Sequence, residues 1–242
     1  MGSRPDALNA AIAQAWQAFD LPAPAETGVC QGCCMDPGIE ADFLKRQARD
    51  LPPAYVRDWY SAAHTDRIRH AHVAWFLPRV LEMLADGQHV AAVGDEVAFA
   101  RLPLTGFPDR WPERQVAALN QFALAFLEMK LAVSPPMGLG ELDRLLCMFG
   151  EGGLDLAPLL QRLEALGNDD LAGLLHRCWF HLQSGRIGLN AFWSREPGKT
   201  TAWAWYTSAS LLNRMEEAAL AGNETALEVY DLIATVRAAD GL

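Results

Sequence analysis

Apolar residues recur every three or four positions along most of this chain, which is the spacing of helices that bury one face. Residues 7–19 show the pattern simply, with four apolar side chains on one side: Leu8, Ile12, Trp16 and Phe19. Strict alternation of apolar and polar residues, which is typical of half-buried strands, never continues for a useful length. The pattern therefore predicts an all-α protein.

The densest apolar stripe lies between residues 73 and 84 and predicts a deeply buried helix. Its members are Val73, Phe76, Leu77, Val80, Leu81 and Leu84. Pro78 lies inside this stripe, so we expect either a kink or a helix that begins near Leu77, because proline lacks the backbone N–H that a helix interior needs. Another helix start is predicted at Asp36-Pro37, where the proline suits the first turn.

The second half of the chain predicts further helices joined by short connections. A long helix is expected from Pro112 to about Leu131. Asn168 is placed to begin a later helix and Asn223 to cap the last one, because an asparagine side chain can accept an orphan backbone N–H. Residues 88–110 are ambiguous: their apolar positions fit either a short helix or a strand, whereas Gly94 and Pro103 favour irregular chain.

The helices predicted in this way number roughly ten. Because their connections are short, we expect one all-α domain over residues 1–242, built of stacked helical hairpins. Prolines and glycines crowd into residues 134–140, so a boundary between two halves is expected near residues 132–140.

The chain is acidic, with 30 Asp and Glu residues against 20 Lys and Arg residues and a formal net charge of −10. This balance disfavours nucleic-acid binding, which depends largely on neutralising phosphates with Lys and Arg. The acidic surface either keeps the protein soluble or meets a basic protein partner and speeds their encounter. Apolar runs are far shorter than the roughly 20 residues of a membrane-spanning helix, and the N-terminus lacks a secretory pattern. We therefore expect a cytoplasmic protein that does not contact membranes.

Three of the five cysteines crowd into one loop, Cys30-Gln-Gly-Cys33-Cys34. Zinc prefers four nitrogen or sulfur ligands in a tetrahedron, so Cys30, Cys33 and Cys34 are candidate metal ligands. The candidates for a fourth ligand are His64, His70 and His72. A second ligand pair at the usual spacing is missing, and a redox role would need a βαβ setting. The alternatives are a zinc site, a redox pair, or reduced thiols packed beneath the loop.

No catalytic signature is complete in this sequence. Residues 197–201, Pro-Gly-Lys-Thr-Thr, end like a phosphate-binding loop, but Trp193 occupies the position of the required first glycine and no predicted strand precedes them. A His-Glu-x-x-His motif is also missing. We therefore expect a protein that is not an enzyme. Polar side chains that converge from distant helices remain an alternative.

The chain contains eight tryptophans, and an aromatic stretch begins at Phe192. Trp203 and Trp205 cannot both face one core from the same helix, since residues two apart point about 200° apart. Tryptophan is enriched where protein interfaces bind most strongly. Trp193, Trp203 and Trp205 are therefore the candidate partner-binding residues, and the alternative is that all of them pack in a helical core.

Four short segments in the first third of the chain carry a resemblance. They are Cys30-Gln-Gly-Cys-Cys34, Leu51-Pro-Pro, Tyr60-Ser-Ala-Ala and Phe76-Leu-Pro-Arg-Val-Leu-Glu-Met-Leu-Ala85. Together they resemble a bacterial family of small, acidic, helical cytoplasmic proteins, and the resemblance covers about residues 30–85. It implies a helical bacterial protein and brings no catalytic residues with it.

The function expected from the sequence is that of a non-enzymatic protein-binding protein of the bacterial cytoplasm. Its most concrete form is an immunity protein that neutralises a basic toxin domain by covering the toxin's active site. No cofactor is required for that function. The alternatives are a zinc-binding protein organised around Cys30, Cys33 and Cys34, or an enzyme whose site is not visible in sequence.

Overall fold

The computed structural model describes residues 4–30, 34–66, 68–178 and 188–242. Within these ranges the regular elements are helices, so the predicted all-α fold is confirmed. The α-helices are α1 (Asp6–Ala18), α2 (Pro37–Phe43), α3 (Pro53–Ser61), α4 (His70–Ala74), α5 (Leu77–Ala85), α6 (Glu113–Ala132), α7 (Glu141–Glu151), α8 (Ala157–Glu164), α9 (Asn168–Cys178), α10 (Gly198–Tyr206), α11 (Ala209–Leu220) and α12 (Glu224–Asp240). Residues Val29 and His64 add one antiparallel backbone bridge.

Local chemistry places several helix starts where the sequence predicts them. α5 begins at Leu77 with Pro78 in its first turn, so the proline starts a helix and does not kink one. The Asp36 carboxylate accepts two backbone N–H groups of the first turn of α2, at 2.8 and 3.0 Å. The Asn223 side chain does the same for α12, accepting the N–H of Ala226 at 3.0 Å. Each cap satisfies donors that have no partner inside the helix.

Residues 88–110, all of which are described, contain two short 3₁₀ helices, Asp95–Val97 and Pro103–Thr105, within irregular chain and form neither an α-helix nor a strand. Gly94 interrupts this region with a φ of +133°, a conformation that neither regular element uses. α6 is the longest of the described helices, with 20 residues. None of the described helices combines the length and apolar character needed to cross a membrane.

The chain forms two compact units. The first comprises Met1–Met129 and Gly152–Leu154, and the second comprises Lys130–Glu151 and Asp155–Leu242. The division follows Met129, whereas the sequence predicts a boundary near residues 132–140. The single-domain organisation stays a prediction.

An aromatic cluster forms the centre of the first unit. Trp59 from α3 and Phe43 from α2 both meet Phe76, with ring centroids 4.8 and 5.6 Å apart and edges turned toward faces. All three side chains are fully buried. Edge-to-face contacts of this kind add to the stability that burial of the rings provides.

Arg101 holds the C-terminal end of α3 against this cluster. Its guanidinium donates to the carbonyl oxygens of Trp59 and Tyr60 at 3.0 Å and of Ala62 at 2.6 Å, and it lies 4.2 Å from the centre of the Trp59 ring. The last carbonyls of a helix have no partner within it, so a planar group with several donors suits this place. Burial lowers the pKa of Arg101, and Tyr60 partly opposes that effect.

In the second unit, α11 and α12 form a helical hairpin against which α9 packs. Arg214 from α11 joins the hairpin to the end of α8. Its guanidinium donates to the carbonyl oxygens of Glu164 at 2.8 Å and Leu166 at 2.5 Å, and to the Asn168 side chain at 2.8 Å. An arginine thus satisfies terminal carbonyl groups of a helix in each unit.

Candidate functional site

Residues 188–206 form a loop followed by α10, and two buried carboxylates on α7 hold that loop. The Asp143 carboxylate accepts the backbone N–H of Asn190 at 2.5 Å through one oxygen and the indole N–H of Trp193 at 3.1 Å through the other. Asp143 is only 3 % exposed. These bonds supply partners that the carboxylate would otherwise take from water.

Glu151 holds the next part of the same loop. Its carboxylate accepts the backbone N–H groups of Ser194 and Arg195 at 2.6 and 2.7 Å, and the Ser194 hydroxyl at 2.6 Å. Bonds to an ionised acceptor are among the strongest hydrogen bonds in proteins. Asp143 and Glu151 lie eight positions apart, which places them about 80° apart around a helix of 3.6 residues per turn. Both carboxylates therefore lie toward one side of α7, where they contact the same loop.

Two glycines bring α10 close to α7. A Cβ built on Gly150 would lie 2.5 Å from the Trp193 ring, and one built on Gly198 would lie 3.1 Å from the Cα of Gly150. Any side chain at Gly150 would therefore displace the indole unless the backbone moved. Gly198, the glycine of the Pro-Gly-Lys-Thr-Thr segment, has a packing role here.

A groove of about 520 Å³ lies beside this loop and α10, and we call it the α10 groove. Its lining includes Trp193, Glu196, Lys199, Thr200 and Trp203. Its size falls in the range of pockets that admit a small ligand or a few side chains. Two indoles, one acid and one base give it a mixed apolar and charged lining.

A carboxylate, that of Glu196, lies just before the first residue of α10. Glu196 accepts the backbone N–H of Thr200 at 3.1 Å. Hydrogen bonds from the side chain and backbone of Thr200 hold the pKa of Glu196 below its ordinary value, and Lys199 adds to the effect. An acidic side chain at a helix N-terminus fills the place where the helix dipole attracts an anion. Residues 197–201 therefore do not present an open phosphate cradle.

The three candidate tryptophans occupy different places. Trp205 is buried, at 6 % exposed, whereas Trp203 two positions earlier is half-buried and lines the α10 groove. The expectation that these two cannot share one core is confirmed. Trp193 is also buried but reaches the groove lining. Trp203 is therefore accessible to a binding partner, whereas Trp205 is too deeply buried to contact one.

The predicted cysteine ligands do not form a metal site among the described residues. Cys30 is disulfide-bonded, which differs from the zinc-site and reduced-thiol alternatives for this residue, and Cys34 is an exposed thiol. Zinc binds the thiolate, so a disulfide-bonded Cys30 is not a zinc ligand. Cys33 lies outside the described residues. Within 4–30, 34–66, 68–178 and 188–242 no group of three His, Cys, Asp or Glu side chains is placed to hold a metal, and the zinc site stays a prediction.

The candidate histidine ligands make separate contacts. His70 Nε2 lies 2.7 Å from Gln115 Oε1, and Gln115 in turn donates to the Ala18 carbonyl at 3.2 Å. His72 Nδ1 accepts the backbone N–H of Arg69 at 3.1 Å and so closes the first turn of α4. Both histidines therefore have local structural contacts.

Cys178 at the end of α9 is a buried thiol of the second unit. Its Sγ donates to the Met137 carbonyl at 3.3 Å. Burial raises the pKa of Cys178 to about 11. The thiol stays protonated near neutral pH and is a poor nucleophile, because the thiolate is the reactive form.

Comparison with known proteins adds no relative. No protein-family model matches the chain, and no curated protein or solved structure matches it. The resemblance of residues 30–85 to a bacterial family therefore stays a prediction. The proposals below depend on the geometry of the described residues.

Proposed function

We propose that the protein is a non-enzymatic binding protein of the bacterial cytoplasm that docks a basic protein partner through its second unit. In its most specific form it neutralises a toxin domain by covering the toxin's active site. The observation that carries the proposal is the position of Trp203, a half-buried indole at the wall of the α10 groove.

One hydrogen bond orients the Trp203 indole. Its indole N–H donates to the Asp240 carboxylate of α12 at 3.2 Å. Phe192, in the loop before α10, is 40 % exposed and adds a second accessible aromatic ring to this unit. A held aromatic side chain beside a concave surface is typical of the few residues that contribute most of the binding energy at protein interfaces.

The helical hairpin of α11 and α12 supplies an acidic surface. Its exposed acids are Glu216, Glu217, Glu224, Glu228, Asp231 and Asp240. Both arginines of the hairpin donate to backbone carbonyls, Arg214 to those of Glu164 and Leu166 and Arg237 to that of Thr207. The acids outnumber these two arginines, so the hairpin carries a net negative charge, which suits a partner rich in Lys and Arg.

Two leucines at the turn of this hairpin are accessible as well. Leu220 is 84 % exposed and Leu227 is 49 % exposed. α12 connects this turn to Asp240 beside Trp203, and its sixteen steps from Glu224 span about 24 Å at 1.5 Å per residue. A standard interface covers about 800 Å² on each partner, which is roughly 30 Å across. The hairpin turn and Trp203 thus fit within the width of one interface.

The test is co-expression of the tagged protein with the product of the gene beside its own. We expect a stable complex on size exclusion with light scattering, and restored growth where that product alone is toxic. Trp203→Ala should weaken the affinity, measured by isothermal titration calorimetry, about 30-fold or more, the effect of removing a strong interface residue. The association rate should fall with added salt, since unlike charges steer the encounter.

Trp16→Ala is the matched control, because Trp16 is also half-buried but lies in the first unit. It should leave the affinity unchanged. A protein that stays monomeric beside its neighbour's product, or a complex in which Trp203→Ala binds like the unaltered protein, would contradict the proposal.

A further inference from the structure

The first unit contains a second concave site, which the proposed function does not use. It is a pocket of about 400 Å³ whose lining includes Trp16, Phe19, Trp75, Arg46 and Arg49, and we call it the Arg49 pocket. Phe19 and Trp75 are buried, so they contribute an apolar floor. Both arginines come from the segment between α2 and α3.

Arg49 lies over an indole that is itself fixed. The guanidinium carbon of Arg49 is 4.5 Å from the centre of the Trp16 ring. The Trp16 indole N–H donates to Glu82 Oε1 at 2.8 Å, and the other oxygen of Glu82 accepts from Arg79 at 3.0 Å. A guanidinium that stacks parallel to an indole keeps the N–H donors in its plane available for an acceptor.

Those donors have no acceptor in the part of the chain that the structure describes. No ion pair or side-chain hydrogen bond joins Arg49 to any described residue. Arg46 differs, because its guanidinium lies 2.6 Å from the Asp42 carboxylate, which also accepts the Tyr55 hydroxyl at 2.9 Å. Among the described residues, Arg49 is therefore a cation of the pocket without an anionic partner, and its side chain is exposed to water.

We propose that the Arg49 pocket binds a small monocarboxylate with an apolar body. The planar donors of Arg49 match a carboxylate in a two-bond contact. Asp20 also lines the pocket, and Arg46 is neutralised by Asp42, so a ligand with several negative charges is disfavoured. The half-buried side chains of Trp16 and Leu21, which also line the pocket, favour an aromatic or branched body, which leaves water when it binds.

The test uses phenylacetate, its uncharged analogue 2-phenylacetamide and acetate, each titrated into the full-length protein by isothermal titration calorimetry. We expect phenylacetate to saturate one site. 2-Phenylacetamide should bind about threefold to fivefold more weakly, because an exposed ion pair contributes up to about 1 kcal/mol, and acetate should bind about tenfold more weakly for lack of the ring. In ¹⁵N–¹H spectra the indole signal of Trp16, assigned with Trp16→Phe, should shift on titration with phenylacetate.

Two substitutions at Arg49 separate its charge from its shape. Arg49→Gln should weaken phenylacetate binding about threefold to fivefold, and Arg49→Lys should recover only part of that loss, since an ammonium lacks the planar pair of donors. Arg57→Gln removes the same charge from the exposed side of α3 and should bind like the unaltered protein. Thermal unfolding of each variant confirms that it is folded.

Three results would overturn the proposal. They are equal binding of phenylacetate and 2-phenylacetamide, unchanged affinity in Arg49→Gln, and no phenylacetate binding at millimolar concentration. Each leaves the proposed protein-binding function untouched, because that function rests on Trp203 in the other unit.

Discussion

Gly198 of α10 lies so near Gly150 of α7 that a Cβ on Gly198 would stand 3.1 Å from the Gly150 Cα. The same glycine on α7 also faces the Trp193 ring, which a Cβ there would approach to 2.5 Å. Helices meet this closely only where side chains are absent from the contact. The position of the α10 groove therefore depends on a contact between two residues that do not line it.

Gly150→Ala should destabilise the second unit by about 2 kcal/mol, because the overpacking cost exceeds the gain that alanine brings to a helix interior. The Trp193 indole signal in ¹⁵N–¹H spectra should shift as well. Urea unfolding followed by tryptophan fluorescence measures the free energy of unfolding. Gly173→Ala in α9 is the control, since its Cβ would meet only the mobile end of Arg177 and should raise stability by up to about 1 kcal/mol. Equal effects of the two substitutions would count against the close contact.

Glu151→Gln should release the loop that carries Ser194 and Arg195. The amide offers one acceptor oxygen in place of two, so a donor loses its partner and stability should fall by about 1–3 kcal/mol. Hydrogen exchange at the two backbone amides should become faster. Glu164→Gln makes the same chemical change at an exposed position in α8 and should alter neither quantity. Unchanged exchange at Ser194 would show that Glu151 does not hold the loop.

Arg101→Lys should lower the free energy of unfolding of the first unit by about 2 kcal/mol. A lysine ammonium keeps the charge but cannot reproduce the planar group that reaches three carbonyls and covers the Trp59 ring. Arg57→Lys on the exposed side of α3 should change stability by less than about 0.5 kcal/mol. If both variants unfold at the same urea concentration, the end of α3 does not depend on Arg101.

The stability of the first unit should depend on pH through His72. Burial lowers the pKa of His72 below its ordinary value of 6.5; nearby Glu26 opposes this shift and Arg69 reinforces it. His72 therefore binds a proton near pH 6.5 in the unfolded chain but only at lower pH in the folded protein. The free energy of unfolding should thus fall as pH decreases from 7.5 to 5.5.

His72→Asn keeps an acceptor for the Arg69 N–H and removes the titration. Thermal unfolding of this variant should depend less on pH over the same window. His64→Asn at an exposed histidine should keep the pH dependence of the unaltered protein. A His72→Asn curve parallel to that of the unaltered protein would contradict the assignment.

Features that local chemistry determines were predictable from the sequence. Pro78 predicts the start of α5 because a missing N–H acts within one turn, and Asn223 caps α12 by a bond to a residue three positions away. The separation of Trp203 from Trp205 also follows from helical geometry alone. Each of these predictions depends on residues close together in the chain.

The candidate site was harder to predict because its contacts join distant residues. Asp143 and Glu151 bind groups more than 40 positions later, and only their acidic character within an apolar helix hints at a buried role. Arg49 meets Trp16 across 33 positions, a pairing that no periodicity indicates. Tryptophan is a residue type that interfaces favour, but Trp193 and Trp205 are buried. Their burial depends on packing across the whole core, which the local sequence does not reveal.

The hydrogen bonds from α7 to the loop have a consequence for complex formation. Because Asp143 and Glu151 already hold Asn190 and Ser194 in the uncomplexed chain, this stretch has little conformational entropy left to lose on association. Such preorganisation lengthens the lifetime of a complex more than it accelerates its formation. Loosening the loop from the α7 side would thus shorten the residence time of a partner that touches Trp203, without changing any atom in the interface.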